Sequence, residues 1–245
     1  MGPGLPFIIA LGLLGAGAGG DPAPVPPSFL YPPAYCIDDV MGGPAVAYVP
    51  QPGDVLLATD CNRFWALTHN MAFAFEPHNS ALIVQRCDGS LGVLEAGPND
   101  TTRVRILPLL EHLKEYADKG PVWIRKRKTP LTCEQNAALT AFAERQNGKL
   151  FALVRLAGQL TPLRCRGPLR TYVMGKPHGD RCGYYCAELV CESLVACGAL
   201  DPRTTRPCAT YPHDLFFDQS YNLYISHHLP LVCDWYPPAR WLDHP

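Results

Sequence analysis

Short runs of hydrophobic residues, each bounded by turn-forming residues, recur along the chain and predict a set of short β-strands. Residues 53–58 are such a run, opened by a Gly-Asp turn, and predict a buried strand. Residues 80–85 and 91–96 flank Asp88-Gly89, a dipeptide typical of hairpin turns, and predict two antiparallel strands. Two further strands are predicted, at residues 103–106 and 122–127.

Three stretches have the residue spacing of helices. Residues 107–116 form a short amphipathic pattern, and residues 130–146 form the clearest helical pattern of the chain. Thr132 and Gln135 lie three residues apart and predict a capping box at the start of this second helix. Residues 185–197 predict a third helix, which the glycine that follows it would end.

The remainder of the chain is rich in Pro and Gly, which predicts loops around a compact core. Residues 158–180 are predicted as a loop for this reason. From residue 202 onward prolines alternate with aromatic residues. We expect this tail to pack on the core, because exposed aromatics at that density would aggregate. The sequence has no repeats and no boundary after residue 33, so residues 34–245 are predicted to form a single α+β domain.

The start of the chain has the features of an export signal. Residues 1–20 hold a short apolar run followed by Ala-Gly-Ala, which predicts a signal peptide, although no Lys or Arg precedes the run. Residues 21–33 are rich in proline and predict an extended leader. We therefore expect a secreted, periplasmic or cell-envelope protein. All 11 cysteines follow the leader, which agrees with disulfide formation outside the cytosol.

Composition excludes several classes of protein. A hydrophobic content of 47% with a net charge of -1 argues against wholesale disorder and gives no electrostatic footprint for nucleic acid. The apolar runs all fall short of the roughly 20 residues that a membrane span needs, so no integral membrane span is expected. Since 11 is an odd number, at least one cysteine must remain free if the others pair.

Cys186 is the candidate nucleophile, because it lies at the predicted start of the third helix. Free N–H groups and the positive end of the helix dipole favour a thiolate there and lower the thiol pKa. The same N–H groups suit a developing oxyanion. A histidine beside such a thiolate would complete a cysteine nucleophile. A disulfide or a thiol packed in the core is the alternative.

His78 and Glu95 are the candidate base and the acid that orients it. If the hairpin turn is centred on the Asp-Gly pair, Glu95 faces Leu82, which lies four residues after His78. His78 and Glu95 then share one face of the hairpin but lie about 13 Å apart along it. Contact between them would need a turn nearer residues 86–87 or a bend of the chain at Pro77.

The order of these segments resembles a known family. Residues 53–56, 78–84, 93–96 and 185–190 are similar to segments of circularly permuted papain-like amidases of the YiiX/YaeF type. These are relatives of NlpC-type cell-wall peptidases and of lecithin:retinol acyltransferases. In the permuted group the histidine strand precedes the cysteine helix, as in this chain. The resemblance implies an α+β, circularly permuted papain-like (NlpC-like) fold, with a small antiparallel β-sheet or half-barrel packed against the nucleophile helix.

The same resemblance implies Cys186 as nucleophile, His78 as general base, Glu95 as the residue that orients it, and no cofactor. The expected function is that of an exported thiol hydrolase that cleaves an amide or ester bond through a cysteine acyl-enzyme. Its substrate would be an amide- or ester-containing small molecule or peptide, with cell-wall peptides first and lipid acyl groups next. The alternatives are a non-catalytic, disulfide-stabilised binding or scaffold protein on the same fold, or a lipid acyl hydrolase or acyltransferase.

Other residues have candidate roles that compete with ordinary structural ones. Tyr184 and Tyr185 precede the nucleophile and are candidate substrate-binding residues, with packing as the alternative. Asp54 is a further candidate substrate-binding residue and a rival for the orienting acid, with turn capping as the alternative. The cysteines around the third helix lack a Cys-x2-Cys pair, so no metal site is predicted. The basic residues 125–128 predict a solvated strand edge in preference to a surface for anionic partners.

Overall fold

One large antiparallel sheet organises the protein. The computed structural model describes residues 28–31, 44–59, 63–71, 75–97, 101–159, 161–162, 164–220, 222–226, 229 and 231–244. The strands of this described part are β1 (Ser28–Tyr31), β2 (Val46–Tyr48), β3 (Val55–Ala58), β4 (Asn79–Gln85), β5 (Leu91–Ala96), β6 (Val104–Pro108), β7 (Val122–Arg125), β8 (Leu150–Phe151), β9 (Gly183–Tyr184) and β10 (Ala239–Leu242). Eight of them form the sheet in the order β2-β1-β10-β7-β3-β4-β5-β6, and β8 pairs with β9 in parallel.

Seven helices accompany the strands in the described residues. They are α1 (Arg63–Met71), α2 (Leu109–Lys119), α3 (Cys133–Gln146), α4 (Leu153–Gln159), α5 (Pro168–Val173), α6 (Cys186–Ala196) and α7 (Pro212–Phe217), with a 3-10 helix at Pro207–Ala209. Among the parts of the chain that the structure describes, none of these helices has the length and apolar character of a membrane span.

The sheet has a core on each face. Along a strand, successive side chains point to opposite faces. Leu82 of β4 and Leu94 of β5 belong to the larger core, which they share with buried residues of α3 and α6. Ala81 and Val93, their neighbours in sequence, belong to the second core together with residues of α2. The face of the sheet to which a side chain of β4 or β5 points therefore decides whether that side chain packs against α6 or against α2.

Most elements predicted from the hydrophobic pattern are confirmed. The strands β3 to β7 and the helices α2, α3 and α6 all lie where runs of the sequence predicted them, within a few residues. At the start of α3, the Thr132 hydroxyl accepts a hydrogen bond from the Gln135 amide at 3.2 Å, and the Gln135 side chain accepts one from the Thr132 amide at 3.1 Å. The predicted capping box is therefore present.

Several predictions about the chain outside those elements need correction. The stretch 158–180, predicted as a loop, contains α5. The sheet has eight strands, so it is larger than the small sheet or half-barrel that was expected. β1 lies within the stretch 21–33 that was predicted as a leader, and it pairs with β2 and β10 inside the sheet. The predicted signal peptide lies outside the described residues.

The basic run 125–128 does not lie at a strand edge. β7, which ends in Arg125, pairs with β3 on one side and with β10 on the other. Arg125 is only 1% exposed, and its guanidinium donates to the carbonyl of Leu215 at 2.9 Å and forms an ion pair with Asp218. Burial of Arg125 against partners from the tail explains why its charge is tolerated in the sheet.

The aromatic tail packs on the core, in part as a strand. Trp235 and Trp241 are almost fully buried, and Trp241 belongs to β10. The Trp235 indole N–H donates to the carbonyl of Gly53 at 2.8 Å, which ties the tail to the turn before β3. Tyr236 is exposed, so the packing of the tail is selective.

Disulfides predicted from the cysteine content are not confirmed. Nine cysteines lie in the described residues, and all nine are free: Cys87, Cys133, Cys165, Cys182, Cys186, Cys191, Cys197, Cys208 and Cys233. Cys36 and Cys61 lie outside the described residues.

Candidate functional site

Cys186 is the first residue of α6, as the sequence predicted. Tyr185 before it has an extended backbone, with φ -104° and ψ 168°, so the helix begins abruptly at Cys186. The first N–H groups of a helix have no partner within the helix. The Cys186 side chain is 8% exposed and lies where α6 packs against β4.

The structure brings His78 next to Cys186. The Cys186 thiol contacts the backbone carbonyl oxygen of His78 at 3.9 Å. The His78 ring nitrogen Nδ1 lies 3.4 Å from the Thr59 hydroxyl. Because Ala58 pairs with Asn79, Thr59, which follows β3, and His78, which precedes β4, come next to that pair. The thiol thus lies near the backbone of His78, and the Thr59 hydroxyl lies near its imidazole, where β3 ends and β4 begins.

A second histidine also contacts the His78 ring. The ring of His69, on α1, lies with its centre 5.0 Å from the centre of the His78 ring at an interplanar angle of 42°. Neither His69 nor Thr59 was among the residues predicted from the sequence. Strand pairing alone could have pointed to Thr59, because it follows the predicted strand at 53–58.

Glu95 lies on the other face of the sheet, with a different set of partners. Its carboxylate accepts hydrogen bonds from the side chains of Asn79, Tyr116 and His112, each at 2.5 Å. Asn79 also donates to the Tyr116 hydroxyl at 2.7 Å. Glu95 and His112 are both about 1% exposed, so this is a buried, hydrogen-bonded network between β5 and α2.

The predicted hairpin register is wrong by one residue, which explains where Glu95 lies. The sequence analysis placed Glu95 opposite Leu82, but Leu82 pairs with Leu94. The turn holds three residues, 87–89, with Gly89 at a φ of 84°. A left-handed third residue is typical of three-residue hairpins. A shift of one residue moves a side chain to the opposite face, so Glu95 faces α2 and does not share a face with α6.

Glu95 remains connected to the site through its neighbour in β4. The Asn79 side chain donates to Glu95, and Asn79 directly follows His78 in the chain. The Asn79 side-chain oxygen also accepts a hydrogen bond from the Ser80 amide at 2.8 Å. Glu95 therefore fixes the first residue of β4 from the far face of the sheet.

Burial, and not the helix dipole, dominates the charge state of the nucleophile candidate. Burial raises the pKa of the Cys186 thiol to about 11, although hydrogen bonds from the Ala187 amide and from Ser80 act to lower it. The negative charge of Glu95 raises the pKa of Cys186 further. The lowered pKa predicted for the thiol at this helix end is therefore wrong, because burial raises it.

Ser80 is another residue that the sequence analysis missed. It is buried in β4 on the face of α6, two residues after His78, and it acts to lower the pKa of the Cys186 thiol. Alternation along a strand could have found it, because residues two apart share a face.

Tyr184 and Tyr185 use their hydroxyl groups to hold the backbone around the site. The Tyr184 hydroxyl accepts from the Arg181 amide at 2.9 Å and donates to the carbonyl of Gly179 at 2.8 Å. The Tyr185 hydroxyl donates to the carbonyl of Cys208 at 2.6 Å. Both side chains are buried, so their contacts are those of packing residues, the alternative that the sequence analysis considered.

Asp54 caps two loops. Its carboxylate accepts hydrogen bonds from the Tyr48 hydroxyl at 2.7 Å and from the amides of Gln51 at 3.2 Å and Arg127 at 2.8 Å. Burial raises the pKa of Asp54 to about 6, against the lowering effect of these hydrogen bonds. These partners correspond to the capping role that the sequence analysis weighed against a catalytic one.

Within the described residues, no group of three or more His, Cys, Asp or Glu side chains is arranged to hold a metal ion. The arrangement at the start of α6 instead offers a thiol, an imidazole and helix N–H groups, which are the parts of covalent acyl transfer.

No family model matches this chain, and no curated protein matches it. A structural match is found with the metalloprotein YiiX from Escherichia coli O157:H7, with a TM-score of 0.42 and 19% sequence identity. The match covers 62% of this chain and 68% of that chain. YiiX is of the type that the order of segments resembles, and the permuted papain-like character of the fold is not confirmed.

Proposed function

We propose that this protein is a thiol hydrolase that cleaves an amide or ester bond through an acyl intermediate on Cys186. The observation that carries the proposal is the 3.9 Å contact between the Cys186 thiol, at the start of α6, and the backbone carbonyl of His78, the residue before β4. A thiol at a helix N-terminus beside an imidazole is the general arrangement of a cysteine nucleophile.

Each group in the proposed reaction has one task. The Cys186 sulfur attacks the carbonyl carbon of the substrate, and the thiol proton passes to Nε2 of His78. The N–H groups at the start of α6 donate to the oxygen that becomes negative. The bond to the leaving amine or alcohol then breaks, and the leaving group takes the proton from His78. Water, deprotonated by His78, hydrolyses the thioester and restores the thiol.

Thr59 holds the imidazole for this task. Its hydroxyl lies 3.4 Å from Nδ1 of His78, so we assign proton transfer to Nε2, the nitrogen on the other side of the ring. Glu95 acts as a positioning residue in this scheme. Its hydrogen bond from Asn79 fixes the residue that follows His78 in the chain.

The raised pKa of Cys186 determines the order of events. Since burial keeps the thiol protonated at neutral pH, no thiolate awaits the substrate. In this scheme the sulfur therefore attacks as its proton passes to His78. The proposed substrate class is an amide- or ester-containing small molecule or peptide, which the protein would meet outside the cytosol if the predicted signal peptide directs its export.

Trapping of the acyl-enzyme tests the proposal. The full chain is mixed with a panel of acyl esters and N-acyl peptides, quenched in acid and analysed by intact and peptide mass spectrometry. We expect an acyl group on Cys186, lost in Cys186→Ala and reduced in His78→Ala. Cys197→Ala, at the other end of the same helix, is the matched control and should acylate normally. Equal acylation of the Cys186→Ala variant would contradict the proposal.

A non-catalytic binding or scaffold protein is the second candidate, and one observation favours it. The Cys186 thiol is nearly buried and protonated, which suits a core residue as well as a nucleophile. The same trapping experiment separates the two functions, because a scaffold protein would carry no acyl group on Cys186 with any member of the panel.

A further inference from the structure

The apolar face of α5 points to solvent. Leu169, Tyr172 and Val173 lie at helical spacings of three and four residues, so they share one face of the helix. Leu169 is 78% exposed and Val173 is 67% exposed, and Tyr172 is exposed as well. A surface helix of a globular protein ordinarily turns such a face to the core. The orientation of α5 is therefore the reverse of the ordinary one.

Hydrogen bonds on the opposite side fix α5 in this orientation. The Thr171 side chain is buried, and its hydroxyl donates to the carbonyl of Cys165 at 3.3 Å and accepts from the side-chain amide of Asn222 at 2.9 Å. Asn222 is buried as well. A rotation of α5 that buried Leu169 and Val173 would expose Thr171 and break both bonds. The outward direction of the apolar face is thus built into the fold.

A second segment extends the exposed apolar surface. Asn222 holds residues 222–224 beside α5, and the rings of Tyr172 and Tyr224 lie with their centres 6.4 Å apart at an interplanar angle of 74°. Leu223, between Asn222 and Tyr224, is 74% exposed. Exposed apolar side chains gathered in one place mark an interaction site. We call the following five residues the α5 patch: Leu169, Tyr172, Val173, Leu223 and Tyr224.

The chain around α5 is basic. Residues 145–179 contain seven Lys and Arg residues and no Asp or Glu, in a chain whose net charge is -1. Three of these cations form ion pairs with carboxylates from outside the stretch: Lys149, Arg155 and Arg166. The stretch keeps an excess of positive charge beyond these three pairs, so it attracts negatively charged partners.

Three cations border the α5 patch. Arg170 belongs to α5, and Lys176 is exposed three residues after Val173. The Arg206 guanidinium lies 5.5 Å from the centre of the Tyr172 ring. A partner that complements this surface must therefore be apolar in its interior and negatively charged at its boundary.

We propose that the α5 patch is a docking surface for an anionic lipid membrane. Its apolar side chains enter the boundary between headgroups and acyl chains, and Arg170 and Lys176 pair with lipid phosphates. Tyr172 and Tyr224 suit the headgroup level, because their rings are apolar and their hydroxyls are polar. A side chain as exposed as Leu169 protrudes from the surface. Protruding side chains enter a fluid bilayer directly, whereas a protein partner would need a pocket shaped for each of them.

Vesicle sedimentation tests the proposal on the full chain. The probes are vesicles of equal parts phosphatidylglycerol and phosphatidylcholine, and vesicles of phosphatidylcholine alone. We expect binding to the anionic vesicles to be at least about tenfold stronger, because each Lys or Arg near such a surface contributes roughly fivefold. Binding should weaken as NaCl rises from about 0.05 M to about 0.5 M. A lack of binding to the anionic vesicles, or equal binding to both kinds, would overturn the proposal.

Substitutions separate the patch from the rest of the surface. Leu169→Ser combined with Val173→Ser should lower affinity for the anionic vesicles by about tenfold or more, and Lys176→Glu by about fivefold or more. The matched controls are Val49→Ser, at a similarly exposed valine, and Lys128→Glu, at an exposed lysine. Both controls should bind as the wild-type chain does. Undiminished binding by the two patch variants, with folding verified by circular dichroism, would refute the assignment.

Two other occupants of the patch would give different results. A second copy of the chain would give a dimer in analytical ultracentrifugation that the Leu169→Ser and Val173→Ser double variant disrupts, without vesicle binding. An acidic protein would be mimicked by polyglutamate, which would then bind the chain while the vesicles do not. Either result would overturn the membrane proposal. The readout needs no activity, so a failure to trap an acyl-enzyme on Cys186 would leave it unaffected.

Discussion

The reactivity of Cys186 should follow the profile of a buried, neutral thiol. Burial raises the pKa of this thiol to about 11, against about 8.5 for a free cysteine. At pH 7 the fraction present as thiolate is then about 300-fold smaller than for a free cysteine. A thiolate of higher pKa is intrinsically more nucleophilic, which restores about tenfold to twentyfold. We therefore expect alkylation about 20-fold slower than at an ordinary exposed cysteine.

The assay measures alkylation of each cysteine in one protein sample. Iodoacetamide is added at a series of pH values from 5 to 10.5, the reaction is quenched, and each cysteine peptide is quantified by mass spectrometry. The exposed Cys133 is the internal reference. The logarithm of the Cys186 rate should rise by about one for each pH unit above pH 7, without a plateau before about pH 10.

Replacement of His78 is expected to slow the alkylation of Cys186 at neutral pH. His78→Ala removes a side chain that can carry positive charge near the thiol, which should raise the pKa of Cys186 further, so the Cys186 rate at pH 7 should fall. His178→Ala, an exposed histidine, is the matched control and should leave the rate unchanged. A Cys186 rate that is constant between pH 5 and pH 8 would refute the reasoning. It would mean that a thiolate and an imidazolium already coexist in the resting protein.

Three further substitutions probe the fold by urea unfolding. Burial raises the pKa of Asp54 to about 6. Between about pH 4 and pH 6 the folded protein therefore holds a proton that the unfolded chain has released. The free energy of unfolding should fall by about 3 kcal/mol as the pH rises through this range. Asp54→Asn should flatten that part of the stability curve, and an unchanged slope would contradict this. Arg125→Met leaves the partners of a buried guanidinium unpaired and should cost about 3–5 kcal/mol, whereas its neighbour Lys126→Met should be close to neutral. Thr132→Ala removes the α3 capping hydroxyl and should cost about 1 kcal/mol.

Local features of the fold could be predicted from the sequence, because their causes lie within a few residues of each other. The capping box of Thr132 and Gln135 depends on residues three apart, and both bonds are present. The hairpin at Asp88-Gly89 was predicted for the same reason. The register of this hairpin could not be predicted, because the Asp-Gly dipeptide is compatible with turns of two or three residues. That single uncertainty decided the sheet face of Glu95.

Contacts between distant residues could not be predicted. Arg125 is buried because its guanidinium meets the carbonyls of Leu215 and Tyr236, which lie 90 and 111 residues later. No residue near Arg125 in the sequence indicates that these partners exist. The charge state of Cys186 was missed for a related reason. The helix dipole is a local effect, whereas desolvation comes from the elements that pack over the thiol.

The position of β10 in the sheet has a consequence for how the protein is made. β1 joins the rest of the sheet through β10, which itself pairs with β7. A ribosome adds about 5–20 residues per second, so β10 is synthesised about 10–40 s after β1, the strand with which it pairs. During that interval the β1–β2 hairpin has an unpaired edge, which is the kind of edge that chaperones shield and that neighbouring chains can capture.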